Sequence, residues 1–393
     1  MTVSSFWRRW RHRVMLSAIG ACGVAMALGL QTQPPSYVVL AANDLGMHCM
    51  QNDFSQVMIL PPFNTLRAQV IRRGSEPDIM DGDLSVSYEL PTNTHSSDKT
   101  NFWQYAQQLL GAPVPNDTGV TGSGMRGTMV VDTVRKDYSV TGIPVTPIDD
   151  DGKENPYPLA LVTVKNAAGT TVLAQTQAVV PVSWEMSCNL CHNTPGESTA
   201  TNILNAHDRL HGTNLVAAQP VMCASCHADN ALGTAGQPGV PNLSSAMHGA
   251  HAARMGQVNM ANSCYACHPG VRTNCQRDYH ASQNISCTDC HGGMAAVANP
   301  ARNPWVDLPR CGNCHTRNGF EFEQAGVRYR DSKGHGGVLC VSCHGSPHAT
   351  GPAVNALDNL QANRVQGHAG PVNTCLVCHT SQPSESFFHS VEH

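Results

Sequence analysis

The motif Cys-x-x-Cys-His occurs seven times between residues 188 and 379, and its spacing constrains the fold more than any other feature of the chain. This motif is the attachment signature of haem c. Its two thiols can form thioethers with the two vinyl groups of one porphyrin, and the following histidine supplies an imidazole to the iron. The fourteen cysteines are Cys188, Cys191, Cys223, Cys226, Cys264, Cys267, Cys287, Cys290, Cys311, Cys314, Cys340, Cys343, Cys375 and Cys378. The seven histidines are His192, His227, His268, His291, His315, His344 and His379. We predict seven covalent haem c groups, each with one iron.

Two other uses of paired cysteines fit the sequence less well. Zinc ribbons combine Cys-x-x-Cys units two at a time and need no histidine after each pair, whereas this chain has an odd number of units and a histidine after every one. Two cysteines separated by two residues rarely bridge each other without strain, which disfavours a disulfide framework.

The N-terminus predicts export. Arg8, Arg9, Arg11 and Arg13 precede an uncharged, mostly apolar run over residues 14–30, which is typical of a secretory signal. Haem c is attached outside the cytoplasm, so both signals agree on a periplasmic, outer-membrane-associated or extracellular protein. Cleavage near residue 30, lipidation at Cys22 and retention as an anchor all remain open, and no further membrane-spanning segment is predicted.

The part of the chain that carries the motifs has few side chains with which to build a core. Residues 188–393 contain eight Phe, Trp or Tyr residues. Seven motifs in this span leave about 29 residues per haem, so short helices and loops must wrap closely spaced porphyrins. We expect the haems themselves to form the core of this region.

The first half of the chain predicts strands instead. Apolar residues alternate with period two over residues 84–90, 159–164 and 172–182, and residues 166–169 separate the last two runs as a hairpin turn would. A helix is predicted within residues 101–110. The predicted fold is therefore an N-terminal all-β, sandwich-like domain over residues 31–183, followed by a mostly irregular, short-helix multihaem cytochrome c domain over residues 184–393.

Charge bears on partners and on haem contacts. The chain has 24 Lys and Arg against 28 Asp and Glu, which gives no support to nucleic-acid binding. Arginine binds carboxylates through a planar fork, so arginines near the motifs are candidates for haem propionates as well as for solvated surface positions. The candidates are Arg209, Arg254, Arg272, Arg277, Arg302 and Arg310.

A second axial ligand on each iron would separate an electron carrier from an enzyme. Twelve of the 20 histidines lie outside both the motifs and the export signal, more than seven irons need. The predicted second ligands are His207, His211, His248, His251, His280, His335 and His348, followed by His368 and His48. His207 with His211, and His248 with His251, are spaced to project from one helical face. His95, His389 and His393 are predicted to be bystanders, and spacing does not assign ligands to particular haems.

Two cysteines within the mature chain lie outside the motifs, Cys49 and Cys275. In an oxidising compartment they can form a disulfide between the two regions. A pair of free structural thiols fits the sequence equally well.

Several segments resemble a family of exported bacterial multihaem c-type cytochromes. They are NDLGMHC at 43–49, KTNFW at 99–103, NPYP at 155–158, VSWEMSC at 182–188, CYACHPG at 264–270 and CHGSPH at 343–348. The resemblance covers nearly the whole mature chain, including its strand-rich part. It implies electron transfer outside the cytoplasm, towards redox partner proteins or extracellular acceptors.

Three function classes follow. Saturated, closely packed haems predict an electron carrier or conduit, which is no enzyme. A multihaem oxidoreductase resembling nitrite reductases or hydroxylamine oxidoreductases would need one open iron, often marked by a lysine in place of the motif histidine, and no such mark is present. In the third class the β domain docks a partner or stacks copies into a homo-oligomer or filament.

Overall fold

The structure is a computed structural model that describes residues 35–316, 324, 326–384 and 389. The predicted export signal over residues 1–30, with Cys22, lies outside the described residues, as does His393.

All but one of the described strands lie before residue 184. The described strands are β1 (Tyr37–Ala42), β2 (His48–Cys49), β3 (Val57–Met58), β4 (Thr65–Arg72), β5 (Asp78–Met80), β6 (Leu84–Glu89), β7 (Arg126–Thr128), β8 (Val130–Asp132), β9 (Asp137–Thr141), β10 (Leu159–Asn166), β11 (Val172–Val179), β12 (Val182–Ser183) and β13 (Val221–Met222). The first helix, α1 (Phe102–Leu110), interrupts them and ends at Gly111 in the left-handed conformation, a common helix terminator.

Two antiparallel sheets form from these strands. One has the order β1-β4-β9-β8, with β5 also paired to β4, and the other has the order β11-β10-β6-β7. Buried and partly buried residues alternate along β10, as the period-two pattern predicts. The hairpin between β10 and β11 turns at Asn166, whose side chain accepts hydrogen bonds from the backbone N–H groups of Thr170 and Thr171.

One apolar core joins the two sheets. Leu66 and Val70 from one sheet and Val86 and Val162 from the other belong to the same buried cluster, together with Phe102 of α1. Full burial of such a side chain stabilises the folded state by about 1.5–3 kcal/mol. This cluster therefore explains why the alternating runs fold as sheets.

Beyond residue 183 the described chain is mostly irregular, with short helices. They are α2 (Thr199–His211), α3 (Leu243–Ala252), α4 (Tyr279–Ser282), α5 (Cys287–His291), α6 (Met294–Val297), α7 (Cys340–His344) and α8 (Leu360–Gln366). The expected combination of β-sheets with a mostly irregular, short-helix region is confirmed at this level. None of the helices in the described part of the chain is both long and apolar enough to cross a bilayer.

Backbone, polar and apolar contacts join the two regions. A short parallel ladder pairs β13 of the second region with β3 of the first, whereas β12 pairs with β2 inside the first region. The Glu185 carboxylate accepts hydrogen bonds from the backbone N–H groups of Gly270, Val271, Arg272 and Thr273. The predicted boundary at 183/184 coincides with the end of β12, but the chain from Pro35 onward belongs to one compact unit. Separate domains stay a prediction.

Candidate functional site

Each Cys-x-x-Cys-His motif folds as one helical turn. In five motifs the first cysteine lies in a short 3-10 helix, and in the other two it begins α5 or α7. The backbone N–H of His192 donates to the carbonyl of Cys188 at 2.9 Å, and His379 makes the same contact with Cys375. Because one turn brings residues i, i+3 and i+4 to one side, both thiols and the imidazole of a motif lie together.

Every motif histidine faces one histidine from elsewhere in the chain. The ring centres of the seven pairs lie 6.0–6.3 Å apart. The pairs are His192 with His251, His227 with His207, His268 with His248, His291 with His348, His315 with His280, His379 with His335 and His344 with His389.

This separation fits one iron between two imidazoles. A bond of about 2 Å joins a metal to an imidazole nitrogen, and about 1.2 Å separates that nitrogen from the ring centre, so two imidazoles on one iron would place their ring centres about 6.4 Å apart. Aromatic rings in direct contact have their centres about 4.5–7 Å apart, so the distinguishing feature is that one narrow separation recurs at all seven motifs. The repeated gap therefore matches the space for a haem iron between its two axial ligands.

Hydrogen bonds at the other ring nitrogen fix the tautomer of several paired histidines. The Nδ1 atoms of His227, His248, His251 and His379 lie 2.6–2.9 Å from the backbone carbonyls of Pro241, Ser244, Met247 and Ser75. A carbonyl only accepts, so Nδ1 must carry the hydrogen, and the lone pair is left on Nε2. That is the nitrogen a haem iron would use.

Four more paired histidines have a side-chain partner at Nδ1. His192 contacts Asn202 Oδ1 at 3.1 Å and His207 contacts Thr213 Oγ1 at 2.8 Å. His280 contacts Asp278 Oδ2 at 3.0 Å, and His348 contacts Cys275 Sγ at 3.6 Å. These contacts orient the rings towards the gaps in the same way.

Burial keeps key imidazoles neutral, as ligation requires. Burial lowers the pKa of His268 to about 4, and its neighbours His248, His348 and His291 lower it further. The pKa of His291 is also about 4, again mainly because of burial. An unprotonated ring keeps its lone pair available at neutral pH.

The paired sites lie close to one another. Helix α3 carries both His248 and His251, which face the third and first motifs. Cys264 of the third motif and Cys287 of the fourth are hydrogen-bonded neighbours. Cys343 of the sixth motif lies near Cys378 of the seventh, close enough for that thiol to add to the raised pKa that burial gives Cys343.

A cavity of about 500 Å³ opens beside the fourth motif. Its lining includes Cys290, His291, Arg302, Arg310 and Asn313. It thus combines one thiol, one paired imidazole and two arginines, the groups that a haem with propionates would need.

Two other candidate propionate partners already have protein carboxylates. The buried Arg277 forms a two-pronged ion pair with Asp358, with nitrogen–oxygen distances of 2.7 and 2.9 Å. Arg272 is paired with Glu154. The structure therefore differs from the propionate prediction at Arg272 and Arg277.

Three of the predicted second ligands lie away from the motif histidines. His48 is buried, its Nε2 lies 2.7 Å from the carbonyl of Pro61, and burial lowers its pKa to about 4. His211 lies beside His207, 4.8 Å between ring centres, and His207 is the ring that faces His227. The exposed His368 contacts the carbonyl of Ala369.

At His389 the structure differs from the prediction in the opposite direction. His389 was predicted to be a bystander, yet its ring faces His344 at 6.0 Å in a stacked orientation. No local spacing indicates this partner, because 45 residues separate the two histidines. The count of one second histidine per motif is the only sequence signal that could have drawn attention to it.

The remaining cysteines are neighbours but unbridged. No disulfide joins any of the sixteen described cysteines. Burial raises the pKa of Cys49 far above its ordinary value, and the nearby Cys275 contributes to that shift. Among the described residues no group of three or more His, Cys, Asp and Glu side chains is arranged to hold a metal ion.

Comparison with known proteins gives no relative. No family model matches the chain, and neither a curated protein nor a solved structure matches it. The function is therefore inferred from the motifs and the seven histidine pairs.

Proposed function

We propose that this protein transfers electrons through seven covalently attached haem c groups, each held by two histidines. The observation that carries the proposal is the repeated 6.0–6.3 Å gap between each motif histidine and a second histidine. Seven gaps of the same width, each beside two thiols at haem spacing, are difficult to explain by ordinary packing. When bound, the haem irons supply reversible one-electron reduction.

The protein's own groups favour a carrier over an enzyme. An iron with two imidazoles has no position for nitrite, hydroxylamine or peroxide, so it exchanges electrons without forming a bond to a substrate. An oxidoreductase would need at least one motif histidine that faces an open space. Each of the seven faces a second imidazole instead.

The strand-rich region acts as a scaffold in this proposal, and its two sheets form a sandwich-like domain. It contacts the seventh motif directly: Gly74 N–H donates to the Cys378 carbonyl, Arg73 donates to the Leu376 carbonyl, and the Ser75 carbonyl accepts from His379. These bonds hold one axial imidazole in place from outside the haem region. The ordered sheets thus position a cofactor site that has little apolar core of its own.

The cellular setting follows from haem c attachment and the predicted export signal. We propose that the protein works outside the cytoplasm, with redox partner proteins or an extracellular acceptor. Assembly into a homo-oligomer or filament stays a prediction.

Two matched pairs of variants test the ligand assignment in the purified haem-loaded protein. His207→Ala should convert one low-spin haem into a high-spin haem that binds carbon monoxide, whereas His211→Ala, one turn away on α2, should leave all seven low-spin. His389→Ala should likewise open one haem, and His368→Ala should open none. Absorption spectra and carbon monoxide titration report the result.

The opposite pattern would contradict the proposal. If His211→Ala or His368→Ala opened a haem while His207→Ala and His389→Ala did not, the pairs seen in the structure would not be the ligand pairs. A protein that carried no covalent haem after maturation in a competent host would overturn the function itself.

A further inference from the structure

The partners at Nδ1 differ in charge among the paired histidines. Eight of these histidines have a described Nδ1 contact, and seven of the contacts are to a carbonyl, an amide oxygen, a hydroxyl or a sulfur. The eighth, His280, contacts the Asp278 carboxylate at 3.0 Å. His280 faces His315 of the fifth motif.

The position of Asp278 is fixed by groups other than the histidine. Asp278 is buried and caps the N-terminus of α4, where its Oδ1 accepts from the backbone N–H of Ala281 at 3.0 Å. Its Oδ2 also accepts from the Thr350 hydroxyl at 3.4 Å. The carboxylate is therefore held against His280 by contacts that do not involve the histidine.

No described arginine cancels this charge by direct pairing. The adjacent Arg277 directs its guanidinium at both oxygens of Asp358. The negative charge of Asp278 thus acts through its hydrogen bond to the imidazole.

We propose that Asp278 is a positioning residue that lowers the reduction potential of the fifth haem, the one between His315 and His280. A carboxylate that accepts from Nδ1–H makes the imidazole a stronger donor to the metal, and removal of such a partner typically changes metal affinity or activity about 10–100-fold. A stronger donor stabilises ferric over ferrous iron. Reduction adds one electron to that iron and breaks no bond, so the hydrogen bond acts only on the equilibrium.

The consequence concerns the passage of electrons between neighbouring sites. Cys314 of the fifth motif lies near Cys290 of the fourth, and His315 lies near His344 of the sixth. A fifth haem with a lowered potential would give up its electron readily to either neighbour and would accept one reluctantly. The inference rests on the proposed function, since it concerns one of the seven proposed haems.

Asp278→Asn tests the inference in the haem-loaded protein, and spectroelectrochemical titration is the measurement. Asparagine caps helices as well as aspartate does, so α4 should persist while the charged acceptor is lost. One of the seven potentials should shift upward, and the near-infrared and EPR signature of that haem should change. The haem that shifts should be the one that becomes high-spin in His280→Ala. Asp278→Glu should restore part of the original potential.

Asp289→Asn is the matched control. Asp289 lies inside the fourth motif, in α5, where its carboxylate accepts from the backbone N–H and the hydroxyl of Ser286 and has no imidazole partner among the described contacts. Asp289→Asn should shift the reduction potential of every haem by less than Asp278→Asn shifts that of the fifth haem.

Seven unchanged potentials in Asp278→Asn, or an equal shift in Asp289→Asn, would overturn the inference. Either result would leave seven low-spin haems in the unmodified protein, so the proposed function would stand. A count of fewer than seven low-spin haems in the unmodified protein would instead show that the proposed function fails.

Discussion

The two regions of this molecule are stabilised by different means. Thirty-four buried apolar residues lie between Val38 and Val182, whereas ten lie between Leu204 and Val377, among the residues that the structure describes. Three of those ten, Leu339, Val341 and Val377, pack against strand residues rather than against one another alone. The second region therefore has no apolar core of its own to match the first. On the proposed function, the seven haems would supply the interior that this region lacks.

The largest expected effect is the loss of structure without haem. If the full chain is produced in a host that cannot attach haem, residues 188–379 should exchange their amide hydrogens rapidly, because their apolar burial cannot offset the chain entropy. The strands from β1 to β11 should stay protected. Hydrogen-exchange mass spectrometry of haem-loaded and haem-free protein measures this difference in protection. Equal protection of residues 188–379 in both forms would contradict the claim that the two regions are stabilised by different means.

The next largest effect is expected from the buried ion pair in the region after residue 183. Arg277→Ala leaves the buried Asp358 carboxylate unpaired, which should cost about 3–5 kcal/mol of unfolding free energy. Arg72→Ala removes an exposed pair with Asp78 in the strand region and should cost about 0–1 kcal/mol. Denaturant titration of both variants gives the two changes in unfolding free energy. Similar changes in both would show that the region after residue 183 does not depend on the Arg277–Asp358 pair.

Acid should weaken the strand region through His48. Its pKa falls from about 6.5 when unfolded to about 4 when folded because of burial, so the unfolded chain binds the proton more readily. Stability from this residue is complete above about pH 6.5 and is lost as the pH falls, by about 3 kcal/mol at pH 4. His48→Gln should remove this part of the pH dependence. Amide exchange in β4 at pH 7 and pH 5 reports it, and an unchanged slope in the variant would contradict the assignment.

The smallest expected effect is at the junction of the two regions. Burial alone would raise the pKa of Glu185, but backbone N–H groups of residues 271–273 outweigh it and lower the pKa, so the carboxylate is charged at neutral pH. Glu185→Gln should weaken these charge-assisted bonds and cost about 1–3 kcal/mol. Faster amide exchange confined to residues 270–273 would support this role. Unchanged exchange there would show that other contacts position the loop.

The strands were predictable because their signal is local. The alternation over residues 84–90 and 159–164 corresponds to β6 and β10, and the helix predicted within 101–110 is α1. The ladders of β2 with β12 and of β3 with β13 have two residues per strand and join segments more than 100 residues apart. Such short pairings carry no periodicity, so the sequence could not predict them.

Local sequence predicted most of the second histidines in these pairs. The predicted second ligands that face a motif histidine are His207, His248, His251, His280, His335 and His348. Three-residue spacing placed His248 and His251 on one face of α3, and the structure directs them at two different motifs. The same spacing argument also predicted His211 as a second ligand, but on α2 only His207 faces a motif histidine. Local sequence could not assign His389 or His48 correctly. The tertiary fold brings His389 to His344, and it buries His48 against Pro61.

The spin state of the unmodified holoprotein tests the central claim most directly. EPR and near-infrared spectra of the oxidised protein, with a carbon monoxide titration of the reduced protein, count the irons that lack a second protein ligand. The histidine pairs predict seven low-spin haems and no rapid binding of carbon monoxide. One high-spin haem, or one equivalent of carbon monoxide bound rapidly, would show an open iron and would favour the oxidoreductase alternative over the electron carrier.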